Sequence, residues 1–175
     1  KKNTLKKIDT AFVCFGGADP FNLTFKVTKA LLNMPQVKKI NIILGGAYIH
    51  KEIYNITQKK IKIFQNLSEK ELSKIMIDSS FAIAPASTIL YELCCVKMPI
   101  LSGFFVDNQE GIYHGFADEK AIFEMGHIKN FDVESFEAQL HLFFNSDFQE
   151  LINSQHKIFD KKIKERYYKL ISSIC

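Results

Sequence analysis

The chain has 175 residues, a length that suits one domain with a full hydrophobic core and is too short for two. Apolar residues make up 47% and charged residues 24%, as in ordinary globular proteins, which excludes a disordered chain. The net charge of +4 comes largely from the first residues and the final helix, so no basic stripe is left for nucleic acid. We therefore expect no nucleic-acid partner and, without a long apolar run, no membrane span.

Four cysteines occur in the sequence, at Cys14, Cys94, Cys95 and Cys175. Cys14 lies in an apolar strand pattern, and the adjacent pair is poorly placed to bridge to itself on a helix. Their spacing matches no zinc motif. We expect reduced, packed thiols in a cytoplasmic protein with no metal site. The chain begins at Lys1 without Met or a signal peptide, which predicts a part of a longer protein.

The first predicted strand, Thr10 to Phe15, leads into a glycine turn and a helix from about Asn22 to Leu32. In that turn Gly16-Gly17 permits close backbone approach, Asp19 is a suitable N-cap, and Pro20 suits a first helical turn. A phosphate could bind here. Equally, the glycines could simply turn the chain, because neither a Walker lysine nor a complete G-x-G-x-x-G is present.

The next part of the chain alternates strands with helical patterns. Two more strands are predicted, at Ile40 to Leu44 and Ile61 to Phe64, with a short amphipathic segment between them at Ile49 to Gln58. Ser68 and Glu71 form a capping-box pattern that starts a helix running to about Asp78.

A central stretch carries the most informative pattern. The predicted strand Phe81 to Ala84 is followed by an elbow of small residues, where Ser87 and Thr88 could cap a helix that ends before Pro99. Glu92 falls on the helix face away from the sheet, one turn beyond the helix start. A helix N-terminus can bind phosphate, and a carboxylate one turn on could accept both ribose hydroxyls. A lone solvated glutamate is the ordinary alternative.

The remaining elements are less distinct. After a strand at Ile100 to Phe104 comes a polar loop, Val106 to Gly111, and a helix predicted to reach Met125 with Gly126 as its stop. The last predicted elements are a weak strand at Ile128 to Asn130 and helices at Val133 to Phe144 and Phe148 to Ile174.

Strands that alternate with helices across short loops indicate an α/β fold, a Rossmann-like, doubly wound parallel sheet of about six strands. Ligands bind such sheets beyond the carboxyl ends of the strands, near the point where the strand order reverses. The polar and glycine-rich loops all follow strands, so they share that edge. This shared position favours a nucleotide site.

Four motifs together resemble a known family: Phe15-Gly16-Gly17-Ala18-Asp19-Pro20, Phe64-Gln65-Asn66-Leu67, Ser87-Thr88-Ile89-Leu90-Tyr91-Glu92-Leu93, and Asn108-Gln109. From about Thr10 to Gly126 the chain resembles the C-terminal domain of the pseudaminic acid pathway UDP-sugar hydrolases and spore coat polysaccharide proteins, one half of a GT-B fold. More distant relatives include the UDP-N-acetylglucosamine transferase of peptidoglycan synthesis.

The resemblance implies specific roles. The turn at Gly16 and Gly17 would approach the diphosphate, and the backbone around Phe64 and Gln65 would pair with uracil. The other implied positions are Ser87 and Thr88 on phosphate oxygens, Glu92 on the ribose hydroxyls, and Asn108 and Gln109 towards the sugar, with Asn108 a possible catalytic residue. The resemblance also implies cleavage of a UDP-sugar by water without an obligatory metal or cofactor.

The resemblance makes residues 1–175 a single UDP-binding C-terminal domain, whose N-terminal partner domain would supply the catalytic histidine. A UDP-sugar-dependent GT-B glycosyltransferase is the alternative activity, and a non-catalytic nucleotide-binding module is a second. Two positions depart from the family: Pro85-Ala86 stands where relatives often have glycine at the elbow, and Lys97 stands where glycine commonly ends the helix. Among the histidines only His114 lies near Asn108 and Gln109, and a solvated helix histidine is the commoner case.

Overall fold

The computed structural model describes residues 7–174, which form one six-stranded sheet. The strands are β1 (Thr10–Cys14), β2 (Lys39–Leu44), β3 (Ile61–Gln65), β4 (Phe81–Pro85), β5 (Ile100–Phe104) and β6 (Phe123–His127). Their order is β3-β2-β1-β4-β5-β6, and every neighbouring pair is parallel. The order reverses between β1 and β4. The predicted fold class, a doubly wound α/β sheet, is confirmed.

Helices cover both faces of the sheet. They are α1 (Leu23–Leu32), α2 (Glu69–Asp78), α3 (Ile89–Val96), α4 (Asp107–Asp118), α5 (Val133–Phe144), α6 (Phe148–Ile158) and α7 (Ile163–Ser172). Alternate residues of β1 face the two layers: Ala11 and Val13 pack with α1 and α5, whereas Phe12 and Cys14 pack with α2, α3 and α4. This two-sided burial explains why the central strands are continuous apolar runs.

The sixth strand differs from the prediction. The helix expected to reach Met125 ends at Asp118, and residues Phe123–His127 form β6, so Ile128 to Asn130 is not the strand. Gly126 is not a helix stop. It lies in β6 with φ +66°, where the register between β5 and β6 shifts, and a side chain on the facing Gly103 would meet the Gly126 carbonyl.

The last predicted helix also needs correction. The segment from Ile49 to Gln58, predicted only as amphipathic, forms a short 3₁₀ turn at Glu52–Asn55, and the Ile49 side chain is 78% exposed. The single predicted helix from Phe148 to Ile174 is two helices, α6 and α7, separated by Lys161 at φ +67°. Helix α3 ends before Pro99, as predicted, and its C-cap residue Lys97 is in the left-handed conformation.

The described cysteines are all free thiols. Cys14 and Cys94 are buried and free, as expected, whereas Cys95 is free but exposed, and Cys175 lies outside the described residues. Between residues 7 and 174, no helix has both the length and the apolar character needed to cross a membrane.

Candidate functional site at the carboxyl edge of the sheet

The structure brings the loops that follow β1 to β5 to one edge of the sheet, because parallel strands all end on the same side. The candidate site is this edge, and its centre is the gap between β1 and β4, where the strand order reverses. Every residue predicted from the sequence to contact UDP lies at the end of one of these strands, in the loop that follows it, or in the first turn of the next helix.

The loops after β1, β2 and β3 are fastened to one another. Gly45 packs so closely on the backbone of Gly16 and Gly17 that any side chain on it would collide with their main-chain atoms. The Ala47 N–H donates to the Gly17 carbonyl at 3.1 Å, and Gln65 Nε2 donates to the Gly45 carbonyl at 3.3 Å. Gly16 itself has φ +83°, a conformation that glycine adopts without strain. Gly16 and Gly17 are exposed, so a ligand can approach their backbone.

Asp19 stabilises this loop from within. Its side chain is only 2% exposed, and its two carboxylate oxygens accept hydrogen bonds from the N–H groups of Leu23 and Thr24, each at 2.8 Å. Asp19 thus accepts hydrogen bonds at the start of α1, as predicted. It is not the N-cap residue, however, because Asn22 occupies that position at φ 51°. Pro20 consequently precedes α1 rather than lying in its first turn.

Two residues that sequence reasoning did not select also fix this loop. The Tyr48 hydroxyl donates to Asn22 Oδ1 at 2.9 Å, and His50 Nε2 lies 2.9 Å from the Asp19 carbonyl oxygen, so that ring nitrogen carries the proton. The Tyr48 and His50 rings meet edge to face. Burial raises the pKa of Tyr48, and the charge of Asp19 adds to that rise. Only the loop's contacts reveal this pair, because no motif in the sequence marks them.

Ser87 and Thr88 form the elbow between β4 and α3. The prediction that they cap α3 with their side chains is wrong: Thr88 is the N-cap residue, but it has helical backbone angles and no side-chain capping hydrogen bond. Within residues 7–174, neither hydroxyl has a hydrogen-bond partner, and neither do the N–H groups of Thr88 and Ile89. These groups are hydrogen-bond donors at a helix N-terminus, the arrangement that binds phosphate.

Glu92 lies one turn further along α3, with its side chain exposed. It borders a groove of about 880 Å³ between α2, α3 and α6, which extends towards the amino ends of the strands past Ser80 and Pro99. Burial raises the pKa of the Cys14 thiol, and the charges of Asp19 and Glu92 raise it further.

Asn108 and Gln109 belong to the first turn of α4, not to a loop. Gln109 Oε1 accepts a hydrogen bond from the Phe105 N–H at 3.0 Å, so this side chain stabilises the start of α4. Asn108 is exposed. The Phe105 ring packs edge to face on Phe21 of the β1–α1 loop, which connects the two sides of the edge.

Phe64 and Gln65 end β3, the outermost strand, which pairs only with β2. Phe64 is half-buried and packs towards the α2, α3 and α4 layer, while Gln65 is exposed. An edge strand has unpaired N–H and C=O groups along its free side. His114 is exposed on α4, 3.7 Å from Glu110, and lies beside Phe104 rather than among the predicted contacts.

The two departures from the family pattern have structural explanations. At the elbow, the Ala86 N–H donates to the Gly103 carbonyl at 2.8 Å, so the chain continues the sheet where a glycine turn was expected. Lys97 accepts φ +64° and sends its ammonium group to the Gln155 and Phe159 carbonyls, at 2.6 and 3.3 Å. Burial lowers the Lys97 pKa.

No protein-family model matches the chain, but proteins of related sequence do. Spore coat polysaccharide biosynthesis protein SpsG of Bacillus subtilis is 30% identical over 127 residues, which cover 70% of this chain and 38% of SpsG. The UDP-2,4-diacetamido-2,4,6-trideoxy-beta-L-altropyranose hydrolase of Campylobacter jejuni is 28% identical over 111 residues, covering 63% of this chain and 39% of the hydrolase.

Both proteins are homologues of this chain, which is consistent with the family resemblance of its motifs. The chain spans about two fifths of the length of either one. Its fold matches one half of a GT-B glycosyltransferase: spinosyn rhamnosyltransferase SpnG, in its complex with thymidine diphosphate, superposes with a TM-score of 0.68 and 14% identity. That match covers 89% of this chain and 41% of SpnG. At this identity the structural match establishes the fold alone.

Proposed function

We propose that this chain is the UDP-binding half of a longer two-domain enzyme that acts on a UDP-sugar. The observation that carries the proposal is the start of α3. There, two unpaired N–H groups and two free hydroxyls lie at the switch point of the sheet, one helical turn before the exposed carboxylate of Glu92. Donors for a diphosphate and an acceptor for a ribose are thus held on one rigid element.

Each predicted contact has a role in this proposal. The diphosphate lies between the exposed backbone of Gly16 and Gly17 and the elbow at Ser87 and Thr88. Glu92 accepts hydrogen bonds from the ribose hydroxyls, and the free edge of β3 around Phe64 and Gln65 pairs with uracil. Asn108 faces the sugar, whereas Gln109 serves mainly to hold the start of α4. These roles need no metal or cofactor, and the UDP group itself is the ligand.

For the reaction we infer hydrolysis of the bond between the sugar and UDP. The sequence relative named as a UDP-sugar hydrolase supports this choice. Of the histidines near this edge, His50 is hydrogen-bonded to the Asp19 carbonyl and His114 lies beside Glu110, so we expect the general base to come from another part of the protein. A second domain would therefore complete the site. Ile49 and Val106 are exposed apolar side chains in the loops at this edge, which suits a covering domain.

The second candidate is glycosyl transfer from the same UDP-sugar. The fold similarity to SpnG, a rhamnosyltransferase, favours it, because the two proteins share the architecture of the nucleotide-binding half. A non-catalytic binding module is the remaining alternative. All three require the same donor site, so they differ only in what the other part of the protein adds. The three cysteines within residues 7–174 are free, and this supports a cytoplasmic location as a further part of the proposal.

Titration calorimetry with UDP tests the site. The protein should bind UDP, and Glu92→Gln should weaken binding by about 10- to 100-fold, the cost of a lost charged hydrogen bond. Glu134→Gln is the matched control, because Glu134 is also exposed in the first turn of a helix at this edge, but on the opposite face of the sheet. Absence of UDP binding at millimolar concentration, or equal affinities for the two variants, would refute the site.

The reaction is tested on the full-length protein with UDP-sugars alone. Hydrolysis predicts steady release of UDP together with the free sugar when no acceptor is present. Transfer predicts that UDP release begins only when an acceptor sugar is added. UDP binding without turnover under either condition would leave the binding module as the function.

A further inference from the structure

The glycine turn at Gly16 and Gly17 is linked by packing to the segment that follows β6. Phe15 directly precedes the turn, and its ring meets the Phe136 ring edge to face, with the ring centres 6.3 Å apart. Phe136 meets Phe131 in the same way, with the ring centres 5.2 Å apart. Through these three rings, the segment after β6 packs against the end of β1, where the turn begins.

Two glycines allow the end of β6 to lie close to β5. A side chain on Gly103 would collide with Ile128 and with the Gly126 carbonyl, and Gly126 itself has φ +66° where the register shifts. The Tyr113 hydroxyl accepts a hydrogen bond from the Gly126 N–H at 3.0 Å, which fixes the irregular pairing. Such irregularities redirect side chains and are common beside functional sites. This one sets the direction in which the chain continues to Lys129.

Lys129 lies against the same loop that contains the glycine turn. Its ammonium group is 5.2 Å from the centre of the Phe21 ring, and that ring packs edge to face on Phe105. Lys129 is exposed, and within residues 7–174 it has no ion-pair partner. The aromatic ring attracts and orients the ammonium group without neutralising its charge.

The carboxylates nearest to this loop in the sequence are engaged elsewhere. Both carboxylate oxygens of Asp19 accept hydrogen bonds from backbone N–H groups at the start of α1. Hydrogen bonds from Ser135 hold the pKa of Asp132 below its usual range, and the charge of Lys26 lowers that pKa further. The positive charge of Lys129 is therefore available to a bound anion.

We propose that Lys129 is the cation that binds the diphosphate of the nucleotide, from the β6 side of the glycine turn. The role rests on the proposed function and adds to it a residue that none of the four sequence motifs contains. The backbone N–H groups and hydroxyls assigned to the diphosphate carry only partial charges, whereas UDP is a multiply charged anion. A lysine ammonium supplies a full opposite charge and forms charge-assisted hydrogen bonds with phosphate oxygens.

Calorimetric titration of the full-length protein with UDP, and with uridine by competition, tests this role. Lys129→Met should weaken UDP binding by about tenfold, the value of one charged hydrogen bond, and should leave uridine binding unchanged because uridine has no phosphate. Lys129→Arg keeps the charge and should retain most of the UDP affinity. The matched control is Lys26→Met, which removes the same charge from the first turn of α1, where Asp132 already faces it. It should change UDP affinity by less than about twofold.

Phe21→Leu tests whether the aromatic ring orients the ammonium group. It should weaken UDP binding by about threefold in the natural protein and have no further effect in Lys129→Met, because the two residues act as one unit. Failure of the natural protein to bind UDP would refute the proposed function and this role together. UDP binding that Lys129→Met leaves unchanged, or that Lys26→Met weakens equally, would overturn the role of Lys129 alone.

Discussion

The two sides of the candidate site are built differently. On the side of β1, β2 and β3, the loop residues bond to one another: Gly45 packs on Gly17, Gln65 donates to Gly45, and Asp19 caps α1. On the side of β4 and β5, the side chains of Ser87, Thr88 and Asn108 have no hydrogen-bond partner within residues 7–174. The first side is held in place by contacts within the protein. The second, open side presents side chains that are free to bind a ligand.

This difference separates two effects that a binding assay alone would merge. Substitutions on the side of β1, β2 and β3 should reduce the stability of the protein, and they should reduce its affinity for UDP as a consequence. Substitutions on the open side should reduce affinity while leaving stability unchanged. Measuring unfolding and UDP binding together on the same variants therefore tests whether the division is real.

Asp19→Ala should give the largest loss of stability. It leaves two buried N–H groups without an acceptor, and we expect the free energy of unfolding to fall by about 3 kcal/mol. Urea unfolding measures the loss. Asp147→Ala is the control, because Asp147 accepts one hydrogen bond at the exposed start of α6 and should cost less. Equal losses in the two variants would mean that the burial of Asp19 contributes nothing.

Gly45→Ala should follow, with a loss of about 2 kcal/mol, the usual cost of forcing extra atoms into a packed site. The added methyl group would displace the Gly16-Gly17 turn, so UDP affinity should fall as well. Gly46→Ala is a close control, since a Cβ on Gly46 meets nothing within 4 Å. If Gly45→Ala is as stable as Gly46→Ala, the loops are not fastened in the way described.

Gln109→Ala and Asn108→Ala separate structure from binding within one turn of α4. Gln109→Ala removes the hydrogen bond to the buried Phe105 N–H, and we expect a stability loss of about 1 kcal/mol. Asn108→Ala should leave the urea midpoint unchanged. Its effect should appear only with a UDP-sugar, not with UDP. A destabilised Asn108→Ala variant would contradict its placement on the open side.

Thr88→Val should have the smallest effect. The two side chains have the same shape, and the Thr88 hydroxyl has no partner in the described chain, so stability should not change. UDP binding should weaken by about fivefold, the value of one neutral hydrogen bond. Calorimetry at constant salt measures it. An unchanged affinity would place the phosphate away from the elbow.

Strands β1, β2, β4 and β5 could be predicted from the sequence because each contains a buried apolar run, and β3 because its apolar residues are followed by polar ones. The sixth could not. Gly126 interrupts β6 where the register shifts, and glycine after an apolar segment is equally a helix-stop signal. The break between α6 and α7 was also hidden, since Lys161 carries the positive φ that sequence rules assign to glycine or asparagine.

The positions of the site loops could be predicted because a parallel sheet collects them at one edge. The state of their side chains could not. Ser87 and Thr88 have the composition of helix caps, but capping needs an extended N-cap backbone, and Thr88 has φ −54° and ψ −27°. The sequence does not reveal the roles of Tyr48 and His50, because their partners Asn22 and Asp19 are 26 and 31 residues away in the chain.

Lys97 gives the fold a mechanical connection that a glycine would not provide. Its backbone ends the helix that carries Glu92, and its ammonium group holds the Gln155 and Phe159 carbonyls at the end of α6, directly before α7. The Lys97 side chain thus joins the end of α3 to the end of α6, beside the packing of Phe159 on Tyr91 and Phe116. Replacing Lys97 by glycine would keep the left-handed helix end but remove the ammonium from that connection.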